Sequence, residues 1–284
     1  MSHFHIEPLS HFQINKLIFK FYKYQGTGND FVILNNSHNE FDFLSAAQIK
    51  FLCDRRFGIG GDGLMLLNNK PGYDFEMKYY NSDGAESTMC GNGGRCLVQF
   101  AADNGLIKDN YHFWAIDGEH EATISDNGWV KLKVKNVDQI EKMDGDSILD
   151  TGSPHYVKLV TDIQEVEVYK EGKEIRYSKR FAEDGINVNF VEVQDRQIYV
   201  RTYERGVENE TLSCGTGVTA AALVFAHNPL GFNHVDVETP GGKLAVEFKI
   251  KAEGNFYDIL LCGPATFVFS GEIEMPIDNK IETQ

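Results

Sequence analysis

The sequence predicts an α+β fold with two pseudo-symmetric halves, each a curved, mainly antiparallel sheet or barrel around one central helix. Three observations predict this fold. The motif Cys-Gly-x-Gly occurs twice, beginning at Cys90 and at Cys214. The residues that lead towards each copy alternate apolar with polar side chains, as strands with one buried face do. The residues that follow each copy are almost wholly apolar, which is typical of a buried helix.

The offset between the two motifs, 214 − 90 = 124 residues, recurs elsewhere in the chain. The matching residues follow one another in the same order in both copies. They include Thr27 and Thr151, Arg56 and Arg180, Tyr79 and Tyr203, Glu86 and Glu210, and Gly118 and Gly242. A gapless set of this kind predicts an internal duplication.

The duplication predicts the domain organisation. We expect an N-terminal extension at residues 1–18, a first half at residues 19–136 and a second half at residues 137–284. A polar segment near residues 136–144 has the composition of a linker. This division is also compatible with a last strand that pairs with the first half.

The same pattern predicts individual elements. Expected strands cover residues 31–34, 74–80, 129–134, 156–160, 197–203 and 244–250. Expected helices cover residues 45–54, 96–104 and 218–227.

Composition excludes several functional classes. The chain has 284 residues and a net charge of −15, from 27 basic and 42 acidic side chains. Such a surface repels nucleic acid and anionic membranes. No stretch approaches the roughly 20 apolar residues of a membrane helix, and the N-terminus does not resemble a signal peptide. Five irregularly spaced cysteines do not resemble a disulfide framework, so we expect a cytoplasmic protein with free thiols.

Cys90 and Cys214 are candidate acid/base groups. Both are predicted at the first turn of a buried helix, where unpaired N–H groups and the helix dipole favour a thiolate and lower the cysteine pKa. The same N–H groups can hold a carboxylate. If the two helix starts face one cleft, one thiolate can remove an α-proton while the opposite thiol delivers another. The other three cysteines, Cys53, Cys96 and Cys262, fit buried hydrophobic positions.

Other chemistries explain the pattern less well. A single cysteine nucleophile with His155 leaves the second equivalent cysteine unexplained. The spacing of Cys90 and Cys96 does not suit a zinc site, so no metal is expected. The glycine-rich stretch at residues 58–63 lacks the setting of a dinucleotide-binding motif, and we interpret it as a turn lining the cleft. No cofactor motif is present.

Four blocks of sequence resemble the diaminopimelate epimerase family over about residues 19–270. They are Gly-Thr-Gly-Asn-Asp-Phe at 26–31, residues 81–96 with Met-Cys-Gly-Asn-Gly-Gly-Arg-Cys, Gly-Ile-Asn-Val-Asn-Phe at 185–190, and residues 203–217 with Cys-Gly-Thr-Gly. The resemblance implies a cofactor-independent enzyme that interconverts LL- and meso-diaminopimelate for lysine and peptidoglycan synthesis. It also implies a homodimer.

The resemblance assigns roles to individual residues. It places the catalytic pair at Cys90 and Cys214 and implies that His155 and Glu204 adjust the cysteine pKa values. The substrate contacts that it implies are Asn29, Asn81, Gly91, Asn92, Asn187, Glu204, Arg205, Gly215 and Thr216.

Two positions depart from some members of the family. Ser153 stands where some have Asn, and this shorter side chain is expected to leave a substrate contact to water. Gly63 stands where some have Gln, so no side-chain contact is expected there.

Two alternatives remain. One is another two-cysteine racemase of the same fold, similar to proline racemase, although Asn92 and Leu212-Ser213 differ from the residues typical of that group. The other is a non-catalytic amino-acid-binding protein, which would not need both thiols.

Overall fold

A computed structural model of the chain describes residues 16–276. The predicted extension at residues 1–18 lies largely outside the described residues, and the first strand begins inside it, at Lys16. No helix within residues 16–276 is long and apolar enough to cross a membrane.

The first series of elements surrounds Cys90. It consists of β1 (Lys16–Gly26), β2 (Asn29–Asn36), α1 (Ala46–Cys53), β3 (Gly63–Asn68), β4 (Phe75–Asn81), β5 (Glu86–Ser87), α2 (Gly91–Asp103), β6 (Tyr111–Ala115), β7 (Gly118–Ile124) and β8 (Val130–Lys133).

The second series surrounds Cys214. It consists of β9 (Glu141–Met143), β10 (Asp146–Asp150), β11 (Pro154–Leu159), α3 (Val168–Arg176), β12 (Asn187–Gln194), β13 (Gln197–Glu204), β14 (Asn209–Thr211), α4 (Gly215–Val224), β15 (Gly231–Thr239), β16 (Gly242–Ala252), β17 (Asn255–Gly263) and β18 (Thr266–Pro276).

The strand pairings repeat between the two series. β2 pairs in parallel with β3, and β3 pairs antiparallel with β4, which also pairs in parallel with β6. The second series has the same arrangement, with β11, β12, β13 and β15 in the equivalent places. In both series two antiparallel pairings complete the sheet, β6–β7–β8 and β15–β16–β17. The predicted α+β fold with two similar halves is confirmed.

Two antiparallel pairings join the series. β8 pairs with β17, with Leu132 opposite Leu261, and β1 pairs with β18 along most of its length. These pairings connect the strands into one continuous network, so the two central helices are held in a fixed relation. The boundary between residues 136 and 137 stays a prediction.

Each central helix fills one core. In α2, Leu97, Val98 and Phe100 are fully buried, and in α4, Val218 and Leu223 are buried to the same degree. Burial of an apolar side chain of this size stabilises the fold by about 1.5–3 kcal/mol. The central helices are therefore anchored from all sides by apolar contacts.

The helix bounds differ in part from the prediction. α2 begins at Gly91 instead of residue 96, because the glycines of the motif already form its first turn. α4 ends at Val224, three residues before the predicted end.

Candidate active site

Cys90 and Cys214 occupy equivalent positions, since each is the N-cap residue of a central helix. Their backbones are extended, with φ of −94° and −111°, and neither side chain caps its own helix. The first N–H groups of both helices have no acceptor within the helix. The two sulfurs therefore lie beside backbone donors that are available to an anion.

The two helix starts touch each other through glycine. A Cβ atom added to Gly215 would lie 3.7 Å from the Cα of Gly91 and 2.9 Å from the Cδ2 of Leu261. A Cβ atom added to Gly91 would lie 3.0 Å from the same Leu261 atom. A side chain at either position would first meet Leu261, and the two glycines let the helix starts come within van der Waals distance of each other.

Burial controls the protonation state of both thiols. It raises the pKa of Cys90, and it raises the pKa of Cys214 to about 12. Backbone N–H groups of the helix starts act in the opposite direction but do not outweigh burial. The sequence-based expectation of lowered cysteine pKa values is wrong for this reason. Both groups are thiols at neutral pH when no substrate is bound.

The sulfur of Cys90 contacts the side chain of Asn29. The Cys90 thiol donates to the Oδ1 of Asn29 over 3.7 Å. The Nδ2 of Asn29 donates to the Oδ2 of Asp62 over 2.6 Å, and Arg55 pairs with the other Asp62 oxygen at 2.7 Å. The carboxylate therefore fixes the amide of Asn29 with its oxygen towards the sulfur.

On the Cys214 side, a chain of hydrogen bonds leads into the core. The Oγ1 of Thr216 lies 3.4 Å from the sulfur of Cys214 and 3.2 Å from the Oγ of Ser153. The Oγ of Ser153 lies 3.0 Å from the Nε2 of His155. His155 is fully buried, and burial lowers its pKa to about 3. The imidazole is therefore neutral at physiological pH.

Asn189 sets the donor-to-acceptor direction of this series of hydrogen bonds. Its Nδ2 donates to the backbone carbonyl of Tyr156, and its Oδ1 accepts from the hydroxyl of Thr202. The same Nδ2 lies 3.0 Å from the Nδ1 of His155, which must therefore accept. The proton of the neutral ring is then on Nε2, which donates to Ser153.

Ser153 has no hydrogen-bonding capacity left for a substrate. It accepts from His155 and, over 3.1 Å, from the Nδ2 of Asn187, so its own proton is directed to Thr216. Ser153 itself therefore does not bind a substrate, and the expectation that water makes this contact stays a prediction.

Asn187 connects this network to Arg205. Its Oδ1 accepts from the backbone N–H of Arg205 over 2.8 Å, while its Nδ2 also donates to the carbonyl of Pro154. Arg205 is exposed, and its Nη1 donates to the carbonyl of Asp184. Among residues 16–276 the remaining guanidinium donors of Arg205 have no partner and can face a ligand.

Glu204 acts electrostatically on both cysteines. It raises the pKa of both Cys90 and Cys214, which places its charge near each sulfur. Its carboxylate accepts from the hydroxyl of Thr211 over 3.0 Å. Burial and the nearby Asp62 raise the pKa of Glu204 itself. Its role in adjusting the thiols stays a prediction.

Asn81 and Gly63 are opposite each other at the ends of β4 and β3. The side chain of Asn81 is exposed, and no contact assigns its role. A Cβ atom on Gly63 would lie 2.5 Å from both the Cε2 of Tyr79 and the carbonyl of Tyr80. The ring of Tyr79 therefore occupies the space that a longer residue would need at position 63.

The structure adds residues that sequence reasoning missed. Asp62 belongs to the glycine-rich turn that we expected to line the cleft, but the interpretation gave Asp62 no role. Asn189 lies two positions after Asn187 in β12, and strand residues two apart share a face. That spacing was the available signal for Asn189.

Comparison with known proteins identifies the family. The sequence matches the family model for diaminopimelate epimerase over residues 21–140 and 147–268. This chain belongs to the diaminopimelate epimerase family. The resemblance found in the sequence motifs is thereby confirmed.

Curated members of the diaminopimelate epimerase family align along nearly the whole chain. The diaminopimelate epimerase of Flavobacterium psychrophilum is 50% identical over 256 residues, which cover 89% of this chain and 100% of the relative. The diaminopimelate epimerase of Aquifex aeolicus is 37% identical over 276 residues, covering 89% of this chain and 97% of the relative.

Solved structures share the fold of this family member at low sequence identity. A phenazine biosynthesis protein of Bacillus anthracis, of the PhzF family, has a TM-score of 0.70 at 13% identity, covering 90% of this chain and 99% of its own. A probable proline racemase from Agrobacterium radiobacter has a TM-score of 0.63 at 13% identity, covering 93% of this chain and 94% of its own. At such identities the likeness concerns the fold alone.

Proposed function

We propose that this chain is a cofactor-independent epimerase that interconverts LL- and meso-2,6-diaminopimelate, in the synthesis of lysine and peptidoglycan precursors. The observation that carries the proposal is the pair of thiols, Cys90 and Cys214, at two helix starts that touch through Gly91 and Gly215. The named relatives in F. psychrophilum and A. aeolicus support the choice of substrate.

The substrate α-carboxylate binds the unpaired N–H groups of the two first helical turns. These groups belong to Gly91, Asn92, Gly215 and Thr216, which the helix ladder leaves without acceptors. A carboxylate held there has its α-carbon between the two sulfurs. Each sulfur then faces one side of that carbon.

Epimerisation moves two protons. One cysteine, as thiolate, removes the α-proton and becomes a thiol, and the α-carbon carries the electron pair. The opposite thiol then donates its proton to the other face and becomes a thiolate, so the total charge is unchanged. Acid/base groups placed in this way contribute a rate enhancement of about 10²–10⁴-fold each.

The bound substrate supplies the charge that makes a thiolate accessible. Burial raises the pKa of both cysteines, and the substrate α-ammonium beside a sulfur acts against that shift. A thiolate with a high pKa is also a stronger base once formed. At Cys214, the hydroxyl of Thr216 is directed towards the sulfur by the chain from His155 and stabilises the thiolate.

The far end of the substrate has a second carboxylate and ammonium group. Arg205 has free guanidinium donors that suit a carboxylate, and the amides of Asn29 and Asn81 suit an ammonium group. Glu204, whose charge acts on both sulfurs, adds to the polar lining of the cleft.

A homodimer is part of the proposal. Within the described part of the chain β18 pairs with β1 alone, so its second edge has no strand beside it. Three consecutive residues of β18, Phe267, Val268 and Phe269, are between 45% and 50% exposed. Exposed apolar residues on an edge strand favour association with another chain. Light scattering of the purified protein tests the dimer.

A cytoplasmic location is also proposed. All five cysteines of the described residues are free, and a reducing compartment keeps both Cys90 and Cys214 as thiols. The polar segment near residue 136 is retained as the boundary between the two halves.

An activity assay with two substrates tests the function. The purified protein, without added cofactor, is expected to convert LL-diaminopimelate into the meso form and to leave L-proline unchanged. Racemisation of proline without turnover of diaminopimelate would support the proline racemase-like alternative. Binding of diaminopimelate without turnover would support a non-catalytic protein.

A further inference from the structure

Arg95 is a buried cation without an acidic partner. Its side chain is fully buried within α2, and among residues 16–276 it forms no ion pair with a carboxylate. Its Nη1 donates to the carbonyl of Gly91 over 3.3 Å, and its Nη2 donates to the Oδ1 of Asn92 over 3.1 Å. Its Nε has no hydrogen-bond partner among the described residues.

A buried, unpaired charge in this position makes folding less favourable. Buried cations in proteins are normally paired, because transfer of a charge out of water costs several kcal/mol. Burial lowers the pKa of Arg95, yet a guanidinium keeps its proton in proteins. The three groups that act in the opposite direction are all thiols, those of Cys96, Cys90 and Cys262. Of these three, Cys90 is the thiol at the cleft, so a thiolate at Cys90 lies within the field of this charge.

The guanidinium lies beneath the start of α2 and reaches the start of α4 through Asn92. Long helical side chains point back towards the N-terminus, and that of Arg95 reaches the first-turn carbonyl of Gly91. The amide that it orients, that of Asn92, donates onward to the carbonyl of Ser213, the residue before Cys214. The positive charge thus adds to the field of the helix dipole at the two cysteines.

Two glycines make room for this charge. A Cβ atom on Gly263 would lie 3.2 Å from the Nε of Arg95, and one on Gly26 would lie 3.3 Å from its Nη2. β1 and β17, which carry these glycines, therefore approach the guanidinium closely and leave water no access to it.

We propose that Arg95 is a positioning residue whose buried positive charge stabilises the Cys90 thiolate and, together with the Asn92 amide that it orients, the carboxylate bound at the helix starts. The part concerning the carboxylate rests on the proposed function. The part concerning the thiolate does not, because a thiolate can be measured without substrate.

The test is the rate at which Cys90 is alkylated by iodoacetamide, an uncharged reagent, across the alkaline pH range. Only the thiolate reacts, and one pKa unit changes the rate about tenfold at a pH below the pKa. Peptide mass spectrometry locates the label at Cys90. We expect Arg95→Gln to slow the reaction about tenfold and to move the pH profile to higher pH. Arg95→Lys, which keeps the charge, is expected to remain within about threefold of the unsubstituted chain.

The control is Arg180→Gln, which removes an exposed guanidinium paired with Glu141 and should leave the rate unchanged. An unchanged rate and pH profile in Arg95→Gln would overturn the proposal. So would an equal loss in Arg95→Lys, since shape rather than charge would then matter. Thermal unfolding is measured in parallel, and failure of both variants to fold would assign Arg95 to the fold and overturn the proposal as well. None of these measurements depends on turnover of diaminopimelate. A failure of this proposal can therefore be distinguished from a failure of the proposed function.

Discussion

The side chain of Asn92 donates a hydrogen bond to the backbone carbonyl of Ser213 over 3.2 Å. This bond connects the first turn of α2 to the residue that precedes Cys214, and it is buried. Together with the contact between Gly91 and Gly215, this bond holds the starts of the two helices against each other. The chemistry that we propose depends on this junction, because each sulfur must serve one face of the same carbon.

Loss of either thiol should abolish turnover. In Cys90→Ala or Cys214→Ala one face of the α-carbon has no proton carrier, so a fall of at least about 10²-fold in kcat is expected while the fold is kept. The corresponding Cys→Ser variants should retain only weak activity. The alanine variant at Cys53, a buried cysteine outside the site, is the control for activity. Near-normal epimerisation by Cys214→Ala would contradict the model of two bases.

Ser153→Ala should reduce both stability and activity. It leaves the Nε2 proton of His155 without an acceptor and removes the donor to Thr216, and an unsatisfied buried group costs about 1–3 kcal/mol. Denaturant unfolding measures the first effect and kcat the second.

Ser213→Ala is the matched control for that variant. Its hydroxyl oxygen is buried without a hydrogen-bond partner among the described residues, although it lies next to Cys214. Its removal should leave the free energy of unfolding unchanged or slightly higher. Equal losses in the two variants would show that the chain through Ser153 has no special role.

His155 should make the protein sensitive to acid. Its pKa is lowered from 6.5 to about 3 in the folded state, so between these values the unfolded chain binds one more proton than the folded chain. Stability therefore falls as pH falls through this window, by about 1.4 kcal/mol per pH unit from this residue. His155→Gln keeps one hydrogen-bond donor and one acceptor. It should remove the uptake of about one proton on unfolding and so make the free energy of unfolding depend less steeply on pH.

The measurement is the free energy of unfolding between pH 3 and pH 7 for both proteins. The exposed His38→Gln is the control and should keep the slope of the unsubstituted chain. A slope unaffected by His155→Gln would show that the imidazole is not held neutral in the core.

Oxidation should join Cys90 to Cys214. The two lie at helix starts in contact, and a disulfide needs Cα atoms within about 4.4–6.8 Å. We expect oxidant to inactivate the enzyme, a thiol reductant to restore it, and bound substrate to slow the loss. Peptide mapping of the oxidised protein identifies the bond. A dominant bond through Cys53, Cys96 or Cys262, with the proposed pair still open to alkylation, would contradict the facing arrangement.

Much of this architecture could be predicted because it repeats. The 124-residue offset predicted that the two Cys-Gly-x-Gly motifs occupy equivalent places beside buried helices, and the strand pairings follow it from β2 and β11 onward. α3 was not predicted, because its polar sequence includes Gly172. A Cβ atom there would lie 2.4 Å from the Cβ of Tyr203, so glycine is present for packing although it weakens the helix.

The electrostatics of the site could not be predicted in the same way. The sequence places each cysteine at a helix start, which favours a thiolate, but the depth of burial that reverses the shift depends on the whole fold. The chain from Asn189 to Cys214 also joins residues from three separate segments. Only their packing shows that Ser153 serves His155 and Thr216 instead of a substrate.

Deuterium incorporation tests the central claim most directly. LL-diaminopimelate is incubated with the purified protein in D₂O without cofactor, and substrate and product are isolated at low conversion. With two bases, the thiol that protonates the new face carries solvent deuterium, so the meso product should contain one deuterium at the inverted carbon while recovered LL substrate contains almost none. Product without deuterium, or equal labelling of substrate and product from the start, would contradict the transfer of protons between Cys90 and Cys214.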